Sequence, residues 1–226
     1  MRARAVSEFP AWRSFFHATR SHALRDVLAE VLSRSAALVL LIVLSPVLLA
    51  VALAVWWVDG GAVLYGHYRV GRHGKLFPCL KFRTMALDAE QRLTHLLAND
   101  AQARTEWSQQ RKLSRDPRVT RLGNLLRRSS LDELPQLINV VRGDMVLVGP
   151  RPITYDELHL YGPVRWHYLS VLPGITGLWQ VSGRNHLTYE ERVQMDRDYV
   201  ESRSLGLDLK ILLRTVGVVI RADGVY

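Results

Sequence analysis

The chain has 226 residues, enough for one domain with a real core, and its single cysteine, Cys79, excludes an internal disulfide framework. The 30 Lys+Arg outnumber the 21 Asp+Glu to give a formal net charge of +9, and most of the cations are arginines. Arginine forks match phosphate oxygens two at a time, so the balance favours partners that carry phosphate: nucleic acid, anionic lipid or a nucleotide diphosphate.

From Ala36 to Val58 the chain reads AALVLLIVLSPVLLAVALAVWWV, an uncharged run that makes roughly 35 Å of helix. It is too long for the apolar core of a secretory leader, and Trp56 and Trp57 end it where an aromatic belt belongs. Arginines flank both sides: Arg2, Arg4, Arg13, Arg20, Arg25 and Arg34 before it, Arg69, Arg72 and Arg83 after it, with Lys75 and Lys81. Positive flanks place both ends on the cytoplasmic side, and Ser45-Pro46 at the centre bends the helix. The pattern favours a re-entrant helix hairpin; a kinked spanning helix is the alternative.

After Gly60-Gly61, VLYGHYRVGRHGKLFPCLKF reads as a hairpin around a Gly-Arg-His-Gly-Lys turn. A helix is expected from about Asp88 to Lys112, with Leu93, Leu96 and Leu97 on one stripe, then a turn at Asp116-Pro117. A basic helix follows from Thr120 to Arg128, ahead of SSLDELPQLINVVRGDMVLVGPRP. There PQLINVV reads as a short helix ending at Gly143, and MVLVG as a buried strand. Pro150, Pro152, Pro163 and Pro173 punctuate a loop-rich region, and helix returns from Tyr189 to about Ser202. The closing LDLKILLRTVGVVI is apolar but carries Asp208, Lys210 and Arg214, which suits an interfacial or packed helix rather than a span. The expected organisation is an N-terminal amphipathic segment and membrane helix over 1–58, then one compact, helix-rich α+β domain over 59–226.

Asp132-Glu133 is the central candidate for chemistry. Neighbouring carboxylates share a site only near a helix end or in a turn, and Pro135 places a helix start close to Asp132. The positive end of a helix would draw in phosphate or a metal-bound phosphate. Ser130-Leu131-Asp132-Glu133 also fits a capping box, in which Glu133 only satisfies backbone donors. The basic surroundings favour the first reading, since Arg111, Lys112, Arg115, Arg118, Arg121, Arg127 and Arg128 precede the pair and Arg151 follows. Such a field is expected to keep the acids ionised. Lys81 and Arg83 alternate along a strand and face one way, to grip a diphosphate or lipid headgroups, and Arg184 in a glycine-rich turn is a further anion ligand. Trp179 and Tyr189 read as core residues, with stacking on a uracil ring as the other reading. The histidines lack zinc-site spacing, and Cys79 reads as a core residue.

Together, the apolar run with Ser45-Pro46, GRHGKLFPCLKFRTM, DPRVTRLGNLLRRSSLDELPQLINVVRGDMVLVGPRP and PGITGLWQVSGRN resemble, in order, the bacterial sugar transferase family. These are monotopic phosphoglycosyl transferases acting on polyprenyl phosphate. The resemblance implies a re-entrant helix bent at Ser-Pro, an active site on the cytoplasmic face of the bacterial inner membrane and a need for Mg²⁺. It implies that Asp132 attacks the sugar-bound phosphorus of a UDP-sugar, expels UMP and passes the phosphosugar to undecaprenyl phosphate. It also implies that Glu133 assists with protons or fixes Mg²⁺ and Asp132, and that Lys81, Arg83, Arg128, Arg151 and Arg184 fall on basic motif positions. The C-terminal part is most similar to galactose 1-phosphate transferring members. With about 35 residues ahead of the anchor, the chain resembles the family's minimal form; membrane lipid and a second copy of the chain are its further expected partners. The competing expectations are a membrane-tethered protein holding nucleic acid or anionic lipid, and a transferase of whole sugars that releases UDP.

Overall fold

The computed structural model describes residues 23–110, 113, 115–183 and 187–221. The flanking Arg2, Arg4, Arg13 and Arg20, the pair Arg111-Lys112 and the anion candidate Arg184 lie outside these residues. The chain divides into two compact units that interleave in sequence: Met1–Leu44, Gly66–Leu80 and Pro135–Gly224 form one, and Ser45–Tyr65, Lys81–Leu134 and Val225–Tyr226 the other.

Helix α1 (Ala23–Val43) and helix α2 (Ser45–Asp59) meet at a break on Leu44. Leu44 N–H still bonds the Leu40 carbonyl, but Pro46 has no N–H to continue the ladder. Pro46 therefore sits in the first turn of α2, where that N–H has no partner to lose. The bend expected at Ser45-Pro46 is present and measures 65°. No single described helix is long and apolar enough to cross a membrane; this bent pair passes on length and composition together, as a broken span or a re-entrant loop does. Leu38, Val39, Leu40, Ile42 and Val43 on α1 and Leu49, Leu53, Trp56 and Trp57 on α2 are exposed, an apolar surface larger than scattered side chains explain.

In the first unit, α1 turns Ser33 and Ala37 inward. Its flank charges behave differently from a simple topology signal. Arg25 pairs with Asp26 and Asp208, Arg203 with Asp26, and Arg72 with Glu30, so they bind the protein to itself. The hairpin forms as expected, from β1 (Leu64–Val70) and β2 (Leu76–Phe82). Gly71 N–H bonds the Lys75 carbonyl to close its turn, and His73 there takes a left-handed φ of 59°.

Helix α3 (Ala89–Asn99) and helix α4 (Ala101–Gln110) replace the single helix expected over this stretch. Asp100 adopts an extended conformation, and its carboxylate accepts from Ala103 N–H at 2.9 Å, capping α4. A good cap residue in mid-run offers the backbone an alternative to continuing the helix. The turn at Asp116-Pro117 and helix α5 (Arg121–Arg128), capped by Thr120, follow as expected. In this second unit Val55, Phe82 and Leu126 are buried together. Gly123 is obligatory there, because a Cβ would stand 2.0 Å from the Thr84 carbonyl oxygen.

Helix α6 (Gln136–Arg142) ends at Gly143, left-handed at φ 83°, and strand β3 (Val146–Val148) is buried as read. The proline-rich region is less irregular than expected: it holds helix α7 (Tyr155–Leu158), helix α8 (Arg165–Ser170) and strand β4 (Gly174–Thr176). Strand β4 runs parallel to β3, pairing Val146 with Gly174 and Val148 with Thr176. Helix α9 (Tyr189–Ser202) and helix α10 (Leu205–Arg221) complete the unit; Tyr199, Val200 and Ile211 pack with Val148 and Val171. Cys79 lies in another cluster with Ala37, Phe77, Leu137, Val140 and Met145, the core role expected of it. The whole is helix-rich α+β, with sheet limited to two two-stranded pieces among the described residues.

Candidate active site

The acidic pair sits in a tight turn of the second unit. Ser130 takes φ 56°, a conformation costing a non-glycine residue about 1–2 kcal/mol. Leu131–Glu133 then forms one turn of 3₁₀ helix. Ser130 makes no side-chain cap, so the capping box is not formed; Glu133 N–H bonds the Ser130 carbonyl instead, at 3.2 Å. The α-helix proper begins at Gln136 rather than near Asp132, so the expected full helix end does not back the dyad.

Freed from capping, Glu133 accepts from Lys81, with Oε1 2.5 Å from Nζ. The same Nζ stands 3.9 Å from Asp132 Oδ2. One ammonium thus bridges two carboxylates, of which Asp132 is buried and Glu133 half-buried. Burial pushes the Asp132 carboxyl above the ordinary range against the pull of the Lys81 charge; the Glu133 charge pushes it further up and Arg127 draws it down. The basic field therefore does not hold this acid low: desolvation outweighs it.

Lys81 and Arg83 part company. Arg83 lies beyond the last residue of β2 and donates to the Gly60 carbonyl, while its own N–H bonds Val63 at 2.9 Å. Arg128 is exposed in the last turn of α5. Its neighbour Arg127 is the better-placed cation, half-buried with Nε on Thr84 Oγ1 at 2.9 Å, and its charge reaches Asp132. The amphipathic period of α5, which buries Leu126 and exposes Arg128, is the signal that separates them.

Arg151 belongs to the first unit, half-buried between the buried Pro150 and Pro152. The backbone around it is pinned by Gly174 N–H on the Pro150 carbonyl at 2.8 Å and by Ile153 N–H on Tyr168 Oη at 3.2 Å. Its charge is felt by Asp196, a buried acid that sequence reading passed over. Trp179 carries the Arg192 guanidinium 5.0 Å from its ring centre, and Tyr189 packs edge-on against Tyr161.

Two adjacent carboxylates fit Mg²⁺, which takes one or two protein carboxylates and completes its octahedron with water and substrate phosphate. Among the described residues no group of three or more metal-ligating side chains is placed to hold an ion unaided.

Residues 24–222 match the sequence profile of the family described as bacterial sugar transferase. The chain belongs to that family. It is 56% identical, over 168 residues, to the undecaprenyl-phosphate galactose phosphotransferase of Salmonella typhimurium, a match that covers 74% of this chain and 35% of that protein. It is 48% identical over 190 residues to the exopolysaccharide production protein ExoY of Sinorhizobium fredii, covering 84% of each. It is 38% identical over 209 residues to the UDP-glucose:undecaprenyl-phosphate glucose-1-phosphate transferase of Caulobacter vibrioides, covering 89% of this chain and 73% of that one. The chain thus spans 35% of the Salmonella protein's length and most of the other two.

Proposed function

We propose that the protein transfers a sugar 1-phosphate, galactose 1-phosphate first among the candidates, from a UDP-sugar to undecaprenyl phosphate with release of UMP. The observation that carries this reading is the convergence of Lys81 on Asp132 and Glu133 at the strained Ser130 turn. The names of the Salmonella and Caulobacter relatives, which join galactose or UDP-glucose to undecaprenyl phosphate, support the substrate classes.

In the first step an Asp132 carboxylate oxygen bonds the sugar-bound phosphorus while the bond from that phosphorus to UMP breaks, leaving UMP with the electron pair. A carboxylate raised above its ordinary range is the more basic nucleophile once ionised. In the second step an oxygen of undecaprenyl phosphate attacks the same phosphorus and releases Asp132, giving the polyprenyl diphosphate sugar. Lys81 neutralises charge at the reacting phosphate, and Glu133 holds Lys81 and takes or returns the proton of the incoming group. Mg²⁺, when bound, would supply further neutralisation of diphosphate charge, with Asp132 the residue to hold it, since Glu133 is engaged by Lys81. Arg83, Arg127 and Arg128, in the same unit as the dyad, supply cations for substrate phosphates, while Arg151 and Arg184 are candidates by the family resemblance alone. The bent α1–α2 pair seats the chain in the bacterial inner membrane, with the catalytic residues on the cytoplasmic face, at the first membrane step of polysaccharide assembly.

The test is UMP release in nanodiscs containing undecaprenyl phosphate, with Mg²⁺ and a panel of UDP-sugars, for wild type and Asp132→Asn. Wild type alone is expected to release UMP, with one donor preferred. Release of UDP would make the reaction whole-sugar transfer, and full activity in Asp132→Asn would remove the nucleophile assignment.

A further inference from the structure

Within the first unit, a cavity of about 300 Å³ lies between α1, the parallel strand β3 and helix α10. Protein interiors are packed like organic crystals, and apolar voids larger than a water molecule are few. This one is as large as a small-molecule site. Its walls are apolar: Ala29 and Ala36 of α1, Val148 of β3, Leu172, and Leu212 of α10.

One end is closed by an ion cluster. Arg25 pairs with Asp208, which accepts from Tyr199 Oη at 2.7 Å, and Arg203 grips Asp26 at 3.1 Å. These charges are matched among themselves, so that end asks for no charged ligand. At another edge Arg72 enters from the hairpin turn, next to His73 and Lys75 in sequence, and bonds Glu30 at 2.6 Å. Arg34 stands 3.7 Å from the same Glu30 carboxylate, so two guanidiniums share one acid and that edge keeps a net positive charge. The mouth is apolar, because Leu32 and Leu209 line the cavity and are also more than half exposed. Leu32 belongs to the same helix whose exposed Leu38–Val43 run continues towards the bend. The mouth therefore opens beside the exposed apolar side chains of α1.

We propose that this cavity takes one acyl chain of an anionic phospholipid, its phosphate lying at the Arg72 edge. The proposal rests on the reading that the α1–α2 pair sits in a membrane. A hydrocarbon chain matches the apolar walls and mouth, recovers the dispersion contacts that an empty void forfeits, and needs no polar partner at the closed end. A bound chain would tie α1 to β3 and α10, the elements that meet at the ion cluster.

The experiment uses the full chain in vesicles of phosphatidylethanolamine and phosphatidylglycerol, with a trace of phosphatidylglycerol carrying a diazirine on one acyl chain. After irradiation, labelled residues are mapped by peptide mass spectrometry. Label is expected at Leu32 and at Leu209 or Leu212, together with label on the exposed anchor residues Leu38, Val43, Leu49, Leu53, Trp56 and Trp57. Ala36→Phe, which fills the cavity, should reduce the Leu209–Leu212 label severalfold while leaving the anchor label in place, which also reports that the variant is folded and inserted. Leu209→Trp, which blocks the mouth from the opposite wall, should do the same if Ala36→Phe does not fold. Label on the anchor but none in the cavity overturns the lipid site and spares the membrane reading. Label nowhere overturns both. Displacement of the cavity label by undecaprenyl phosphate at low mole fraction, but not by added phosphatidylglycerol, would assign the cavity to an isoprenoid chain and overturn the acyl-chain proposal.

Discussion

Among the described residues two buried aspartates look alike by exposure and differ in everything around them. Asp132 is 7% exposed and Asp196 is 2% exposed. Burial is the largest influence on each and pushes both carboxyls up, Asp196 to about 7. Asp132 has charged company, with Lys81 at 3.9 Å, Glu133 next to it in sequence and Arg127 within reach of its charge. Asp196 has a closed one: Oδ2 accepts from Tyr161 Oη at 2.7 Å, and Tyr161 in turn packs edge-on against Tyr168 and Tyr189. Among the described residues its Oδ1 has no hydrogen-bond partner. Desolvation alone thus does not mark a reactive carboxylate. What marks it is a second ionisable group that shares its cation, on a turn the chain strains to make.

The largest effect expected to sharpen this contrast comes from Lys81. Lys81→Met should lower the rate of UMP release by two to three orders of magnitude, the scale of losing one charge-stabilising donor at a reacting centre. The thermal midpoint should fall only modestly, because Lys81 keeps 28% of its side chain in solvent and the Asp132 carboxyl it leaves behind, already pushed up by burial, can take a proton. If instead the midpoint collapsed and the residual activity per folded molecule stayed normal, Lys81 would be a structural strut and the dyad would lose its claim to be the site.

Asp196 should behave the other way round. Its folded-state value lies above that of an exposed aspartate, so its contribution to stability is full at low pH and is lost as pH rises towards and through about 7. Between pH 5 and pH 8 this group should remove roughly 2 kcal/mol of wild-type stability, a discount on what the full shift would give. Asp196→Asn, which keeps an acceptor for Tyr161 and carries no charge, should flatten that slope and leave the protein more stable at pH 8. Unfolding midpoints in detergent at the two pH values decide it; parallel slopes for wild type and variant would mean that Asp196 stays charged and that Arg151 compensates it.

How much of this was legible follows the range of the interactions. Asp132 and Glu133 stand out because adjacency, Pro135 and a run of arginines are local signals, and so are the Ser45-Pro46 bend and the Gly143 stop. The left-handed Ser130 was not legible, because serine gives no hint of positive φ and its spacing to Glu133 matches a capping box equally well. Nor was the choice between Lys81 and Arg83, which depends on β2 ending at Phe82. The ion cluster joins Arg25 to Asp208 across 183 residues, and Asp196 to Tyr161 spans 35. No periodicity encodes such pairings, so in the sequence the charges that close a cavity have the pattern of a membrane-topology signal. Arg127 was within reach of sequence reasoning, since the face of α5 that buries Leu126 already separates it from Arg128.

The smallest effect tests whether the Asp196 region is held by its helix or by its side chains. Thr188 caps α9: its side chain accepts from Glu191 N–H at 3.2 Å, and the Glu191 carboxylate accepts from Thr188 N–H at 2.7 Å. Thr188→Ala should cost about 1 kcal/mol, and Thr188→Ser should restore nearly all of it. UMP release per folded molecule should not change in either variant, and the pH slope set by Asp196 should persist, because the cap fixes where α9 begins and not what surrounds Asp196 two turns along. Loss of the slope in Thr188→Ala would show that the tyrosine enclosure depends on the helix start. A drop in UMP release matching that of Lys81→Met would go further, since it would couple the cap of α9 to the dyad and end the separation between a carboxylate kept for chemistry and one kept for packing.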